Sequence, residues 1–125
     1  MTELPLALII EDNPAQSEIF TKAVQMAGFE VEAILDGQVA LERLAVTIPQ
    51  IVVLDLHLPH VSGDKILAQI QRDKRLSKTR IILATADPRM ADPLREYSDL
   101  VLIKPVSFGQ LKSLAERLHP TTDGT

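Results

Sequence analysis

Five short apolar segments recur along the 125-residue chain, and they constrain the fold more than any other feature of the sequence. Four of them are near-continuous runs of Val, Ile and Leu, which is typical of parallel strands covered on both faces. The second segment alternates Glu with apolar residues, which indicates an edge strand. The predicted strands are Leu4–Ile10, Glu30–Leu35, Gln50–Leu56, Arg80–Thr85 and Leu100–Ile103.

Segments with helical periodicity separate these strands. Residues that commonly cap helices stand at the start of four of them, and Gly28 ends the first. The predicted caps are Asn13, Asp36, Ser62 and Ser107, with Gln16 and Gln110 placed to complete capping boxes in the first and last helices.

The fourth helical segment differs from the others because "DPRMADPLREYSD" contains two prolines. Pro93 cannot lie inside a long regular helix. The pattern therefore predicts a helix of one to two turns, capped by Asp92, with Pro93 at its first position and an end near Tyr97.

Five alternating βα units predict one domain built on an open, doubly wound parallel sheet with right-handed crossovers. In such a sheet, functional groups lie at the carboxyl ends of the strands, near the point where the strand order reverses.

Composition and charge exclude several classes of protein. The chain has no Cys, so disulfides, thiolate zinc sites and Cys nucleophiles are absent. A net charge of −4 and the absence of Trp argue against nucleic-acid binding. No signal peptide is recognisable and no apolar run reaches the ~18 residues of a membrane helix, so a cytoplasmic location is expected.

Polar side chains of types used in catalysis stand at the carboxyl ends of four predicted strands. They are Glu11 and Asp12 after the first strand, Asp55 in the third, Thr85 in the fourth and Lys104 after the fifth. Taken singly, the acidic pair could complement a helix dipole, Thr85 could be an ordinary strand residue, and Lys104 a solvated lysine. Their convergence at one rim indicates a site instead.

The chemistry of this set is that of phosphoryl transfer. Crowded carboxylates repel one another unless a cation lies among them, and ligands that are all oxygen favour a hard ion such as Mg²⁺. A metal ion and Lys104 would offset the charge of a phosphoryl group in transit, while Asp55 attacks it in line.

With these motifs in order, the sequence resembles the receiver domain of two-component response regulators over essentially its whole length. The resemblance is carried by "LIIEDN", by "VVLDLHLPHVSG" around an acceptor Asp, by "LATA", and by "IKP", whose Pro is usually cis in the family. It implies a flavodoxin-like (βα)5 sandwich with a shortened fourth helix. The receiver domain would span residues 1–119, and residues 120–125 would be a disordered tail or the start of a linker.

The resemblance also implies roles for the acidic residues. Asp55 would accept a phosphoryl group from the phosphohistidine of a sensor histidine kinase or a phosphotransfer protein. Asp12, Asp55 and the backbone carbonyl of His57 would bind Mg²⁺ or Mn²⁺, and Glu11 would act through water.

Thr85 and Lys104 would contact the phosphoryl oxygens, and Thr85 would move toward them on phosphorylation. A domain of this kind is a signalling module that catalyses its own phosphorylation and dephosphorylation rather than a conventional enzyme. It would act on a downstream protein target, without binding nucleic acid or membrane directly, and homodimerisation stays open.

Three departures from the family pattern are visible. Val101 stands where family members often carry an aromatic ring coupled to the Thr. The interval from Thr85 to Lys104 is a few residues short, which matches the proline-broken fourth helix. His57 and Asp87 stand at positions that flank the path of hydrolytic water in the family, so they are hypothesised to tune phosphoryl lifetime, although both could simply be exposed loop residues.

Other phosphate-handling classes fit less well. A phosphate-loop NTPase or a flavodoxin would need a Gly- or hydroxyl-rich loop where this chain has "EDNPAQ". A haloacid-dehalogenase-type phosphotransferase would need a second Asp at the position of His57. The remaining alternative is a receiver-like interaction module that signals without phosphorylation.

Overall fold

The computed structural model describes residues 3–120 and confirms the predicted five-stranded parallel sheet. The strands are β1 Leu6–Ile10, β2 Glu30–Ile34, β3 Ile51–Asp55, β4 Arg80–Thr85 and β5 Leu100–Ile103. The α-helices are α1 Pro14–Met26, α2 Gly37–Val46, α3 Gly63–Arg72, α4 Pro88–Ala91 and α5 Phe108–Arg117, and 3-10 helices span Lys74–Leu76 and Asp92–Tyr97.

Two apolar layers enclose the sheet because successive side chains of each strand point to opposite faces. Ala7 and Ile9 of β1 pack in the layer that includes Phe20 of α1 and Leu111 of α5. Leu8 and Ile10 pack in the other layer, with residues of α2 and α3. Both faces are therefore covered, which explains why the central strands are apolar throughout.

The strand order is β2-β1-β3-β4-β5, so β2 lies at an edge as predicted. After β1, the chain places β2 on one side of β1 and then returns to place β3 on the other side. The strand order thus reverses between β1 and β3, and a crevice forms there at the carboxyl ends of the strands.

Among the four caps predicted outside the fourth segment, three make their hydrogen bonds. They are Asn13, which accepts from the Gln16 N–H, Asp36, which accepts from the Gln38 and Val39 N–H groups, and Ser107, which accepts from the Gln110 N–H. Ser62 stands at the N-cap of α3 but its side chain makes no capping bond. Gln16 does not complete a capping box, since its Oε1 is buried without a partner among residues 3–120.

The predicted cap of the fourth segment was wrong. Asp87, not Asp92, caps α4 by accepting from the Arg89 N–H, with Pro88 at the first helical position. Asp92–Tyr97 then continues as a 3-10 helix, because Pro93 has no N–H and cannot extend an α-helical ladder. The helix predicted from Pro93 to about Tyr97 is present in this 3-10 form, but the helical segment begins one turn earlier than predicted.

None of the helices described within residues 3–120 is long and apolar enough to span a bilayer. The predicted tail, apart from Pro120, lies outside the described part of the chain.

Gly37 and Gly109 provide a matched test of this packing. A Cβ at Gly37, the first residue of α2, would lie 2.3 Å from the Val61 carbonyl oxygen, whereas a Cβ at Gly109 in α5 would meet nothing within 4 Å. We expect Gly37→Ala to lower the free energy of unfolding by about 1–3 kcal/mol through overpacking. Gly109→Ala should raise it by about 0.5 kcal/mol through helix propensity and reduced freedom of the unfolded chain. Urea denaturation measures both, and equal effects would contradict the packing described here.

Candidate functional site

The sheet ladder positions the polar residues at the rim. The Glu11 N–H donates to the Ile34 carbonyl at 3.0 Å, and the Lys104 N–H donates to the Thr85 carbonyl at 2.9 Å. Asp55 ends β3 in register with Ala84 of β4. Backbone hydrogen bonds therefore extend to the residues that carry the side chains of the site.

The structure brings Glu11, Asp12 and Asp55 together as an acidic cluster. One carboxylate oxygen from each lies within 4.8 Å of the others. Glu11 and Asp55 are 1% and 3% exposed, whereas Asp12 faces solvent. The cluster thus presents oxygen ligands on one open side, which suits a hydrated divalent cation.

Lys104 crosses the rim to the two buried carboxylates. Its Nζ lies 2.7 Å from Glu11 Oε1 and 3.5 Å from Asp55 Oδ2. Lys104 follows β5, an edge strand, so its side chain reaches past β4 to β1 and β3. The peptide bond from Lys104 to Pro105 is cis, as the resemblance implied.

Burial raises the pKa of Glu11 to about 7. The hydrogen bond from Lys104 opposes the rise, while the neighbouring Asp55 adds to it. Proton affinity at this position is therefore sensitive to any cation that enters the cluster.

Thr85 is 2% exposed and lies at the same rim, but its hydroxyl is engaged away from Asp55. Its Oγ1 accepts from the Asp87 N–H at 3.1 Å and donates to the Asp87 carbonyl at 3.3 Å. Since a hydroxyl has a single proton to donate, a hydrogen bond from Thr85 to a group on Asp55 would replace the bond to the Asp87 carbonyl.

The loop from Leu56 to Ser62 contacts Asp55 and helps to fix its position. The His57 N–H donates to Asp55 Oδ1 at 3.0 Å, which orients the carboxylate. A Cβ at Gly63 would lie 2.6 Å from the Asp55 carbonyl oxygen, so only glycine allows α3 to start this close to the strand.

Sequence reasoning missed a side-chain pair that joins this loop to the start of α2. His60 Nδ1 lies 2.6 Å from Asp36 Oδ2, and the hydrogen bond lowers the pKa of Asp36. His60 has a φ of 67°, and the Val61 N–H bonds to the Pro59 carbonyl across it. No local pattern could reveal this pair, because the two residues are 24 positions apart.

His57 is exposed and Asp87 is half-buried, and the two lie close enough for their charges to interact. Arg89 lowers the pKa of Asp87 most strongly, and the charge of His57 lowers it further. Asp87 also caps α4, so it has a structural task beside any role in hydrolysis.

Val101 is half-buried in β5 and packs against the α2–α3 layer. It carries no ring that could move between buried and exposed positions. A readout that depends on an aromatic ring at this position is therefore not available to this chain.

Known proteins of one family match this chain. The family model described as the response regulator receiver domain matches residues 7–116. A probable methanogenesis regulatory protein, FilR2 of Methanothrix harundinacea, is 36% identical over 124 residues, covering 90% of this chain and 80% of that protein. The transcriptional regulator RpaA of Synechocystis is 31% identical over 96% of this chain, which spans 51% of that relative.

Solved structures agree with the sequence matches. TrrA of Thermotoga maritima, determined as a complex with Mg²⁺ and a beryllium fluoride, is 26% identical with a TM-score of 0.80, covering 92% of this chain and 99% of that one. A signal receiver domain from Vibrio parahaemolyticus is 27% identical with a TM-score of 0.81, covering 92% and 90% of the two chains.

The raised pKa of Glu11 predicts how stability depends on pH in the metal-free protein. Because the folded pKa of about 7 exceeds the ordinary value of 4.5, the folded state binds more protons between these values. The free energy of unfolding should therefore fall as pH rises through this window. Glu11→Gln should remove that part of the fall, as measured by denaturant titrations at several pH values. Parallel curves for the two proteins would show that Glu11 titrates normally.

Proposed function

Because the chain belongs to the response regulator receiver domain family, whose members are phosphorylated on Asp in two-component signalling, we propose that Asp55 is its phosphoryl acceptor. The observation that carries the proposal is the placement of Asp55. It is a buried carboxylate at the end of a central strand, with Lys104 Nζ 3.5 Å away and two further acids beside it. A purely structural Asp at this position would not need the acidic neighbours, which raise its energetic cost.

Receiver domains bind Mg²⁺ at an acidic pocket, and the residues present here fit such an ion. Asp12 and Asp55, with the backbone carbonyl of His57, are proposed to hold Mg²⁺ or Mn²⁺, and Glu11 is proposed to act through water. The fit rests on an oxygen-only donor set and on mutual repulsion that a cation relieves. When bound, the ion would offset negative charge on the phosphoryl oxygens.

The protein residues then have separate tasks in the transfer. An Asp55 carboxylate oxygen attacks phosphorus, and the P–N bond of a donor phosphohistidine breaks with its electron pair on the leaving imidazole. The His57 N–H, which already bonds one Asp55 oxygen, leaves the other oxygen as the nucleophile. Lys104 supplies a positive charge to the transferring group.

Phosphorylation is proposed to change the partners of Thr85. A phosphoryl group on Asp55 would present strong acceptors close to the end of β4. The Thr85 hydroxyl would exchange its bonds with the Asp87 backbone for a bond to that group. Because Asp87 caps α4, this change of hydrogen bonds would alter the backbone at the start of the proline-broken segment.

Incubation with Mg²⁺ and a small-molecule phosphodonor tests the acceptor assignment. We expect intact-protein mass spectrometry to show a gain of one phosphoryl group in the wild-type chain and none in Asp55→Ala, because the variant has no nucleophile. Asp73→Ala, which removes a carboxylate beyond the end of α3, is the control and should be phosphorylated like the wild type. No gain in the wild type would instead favour an interaction module that signals without phosphate.

Autodephosphorylation tests the proposed role of His57 and Asp87 in phosphoryl lifetime. We expect His57→Ala and Asp87→Asn together to slow hydrolysis by roughly tenfold, since polar side chains beside the site can position the attacking water. Asn can still cap a helix, so Asp87→Asn preserves the start of α4 while removing the charge. Decay of the phosphorylated species after donor removal gives the rate, and an unchanged rate would eliminate this role.

A further inference from the structure

An apolar groove lies between α3 and the 3-10 helix Asp92–Tyr97, away from the acidic cluster. Its volume is about 420 Å³, and Leu67, Leu94 and Tyr97 supply apolar walls. Leu67 is buried at 2% exposure, whereas Tyr97 is 48% exposed. The groove exists because Pro93 stops α4 after one turn, so a narrow 3-10 helix lies beside α3 in its place.

A stripe of α3 forms one side of the groove. Asp64, Ala68 and Arg72 line it at intervals of four residues, which places them on one helical face. Asp64 and Arg72 are both exposed, and neither side chain forms a hydrogen bond or ion pair with another residue between 3 and 120. Opposite charges therefore stand unpaired at the two ends of an apolar surface.

This stripe is complementary to a second copy of itself. Asp64 and Arg72 are about 12 Å apart along the helix, with the small residue Ala68 midway between them. If two α3 helices lie antiparallel about a two-fold axis at Ala68, Asp64 of each copy faces Arg72 of the other. Such an axis makes both charge pairs at once, as an isologous interface requires.

We propose that two copies of this chain associate through their α3 grooves, with the α3 helices antiparallel and paired through Asp64 and Arg72. Ala68 allows the helices to approach at the axis, and Leu94 and Tyr97 of each copy cover the apolar flank of the other. The charges on α3 are complementary to those on an antiparallel second copy. This complementarity favours a second copy as the partner, since an unrelated protein would need a matching charge pattern of its own. This association does not depend on the phosphoryl chemistry at Asp55.

Charge reversal distinguishes this dimer from a generic apolar contact. The single variants Asp64→Arg and Arg72→Asp each place like charges opposite one another at two points, so each should weaken self-association by about tenfold. When the two single variants are mixed, every facing pair is opposite in charge again. The mixture should therefore form a heterodimer although neither variant dimerises well alone.

Sedimentation velocity of the full chain provides the measurement, at protein concentrations up to about 1 mM, where even a weak dimer is detected. Lys22→Asp is the control, because Lys22 lies on α1 at the opposite face of the sheet, and it should leave association unchanged. Circular dichroism verifies that each variant is folded. If a reversal impairs folding, Ala68→Glu replaces it, since two like charges then meet at the axis.

Three results would overturn the proposal. They are a wild-type chain that stays monomeric over the whole concentration range, single reversals that dimerise like the wild type, and a mixture that does not restore association. A monomeric chain that binds another protein at this groove would also count against a second copy as its occupant.

Discussion

The contact of Lys104 with the buried carboxylates is the interaction on which the rest of the site depends. Glu11 and Asp55 are nearly inaccessible, and charged groups buried in this way are costly unless an opposite charge compensates them. Lys104 supplies that charge from the far edge of the sheet, at 2.7 Å from Glu11 and 3.5 Å from Asp55. The contact therefore requires that β1, β3, β4 and β5 all be assembled in register, which ties the chemistry to the whole fold.

Backbone hydrogen bonds add to this side-chain contact in holding the acidic cluster. Ladder hydrogen bonds reach Glu11 and Lys104, and the His57 N–H fixes one Asp55 oxygen. The loop after Asp55 is held in turn by α2, through the pair of His60 with Asp36 and the close approach of Gly37 to Val61. Under the proposed function, this frame would convert phosphorylation of Asp55 into a discrete rearrangement at Thr85.

The prolines of the fourth segment shape two surfaces. Pro88 opens α4 directly after Asp87, whose backbone engages the Thr85 hydroxyl, so the start of this segment is coupled to the rim. Pro93 ends the α-helical ladder one turn later and leaves the groove beside α3 uncovered. The sequence predicted a short helix here but placed the cap at Asp92, because either Asp-Pro pair could open a helix. In the fold Asp87 caps α4, and Ala91 of that turn is buried in the core.

By itself, the sequence determined the sheet, the helices around it and the set of polar residues at the strand ends, because hydrophobic periodicity and parallel topology act locally and repeatedly. It also singled out Asp55 as a candidate phosphoryl acceptor, because that carboxylate follows an apolar run at the end of a strand; the acceptor role stays a prediction. Only the tertiary structure decided that Lys104 lies closer to Glu11 than to Asp55. It also decided that Thr85 bonds the Asp87 backbone and that His60 pairs with Asp36. These contacts join residues whose distances depend on rotamers and loop paths, and no local periodicity encodes them.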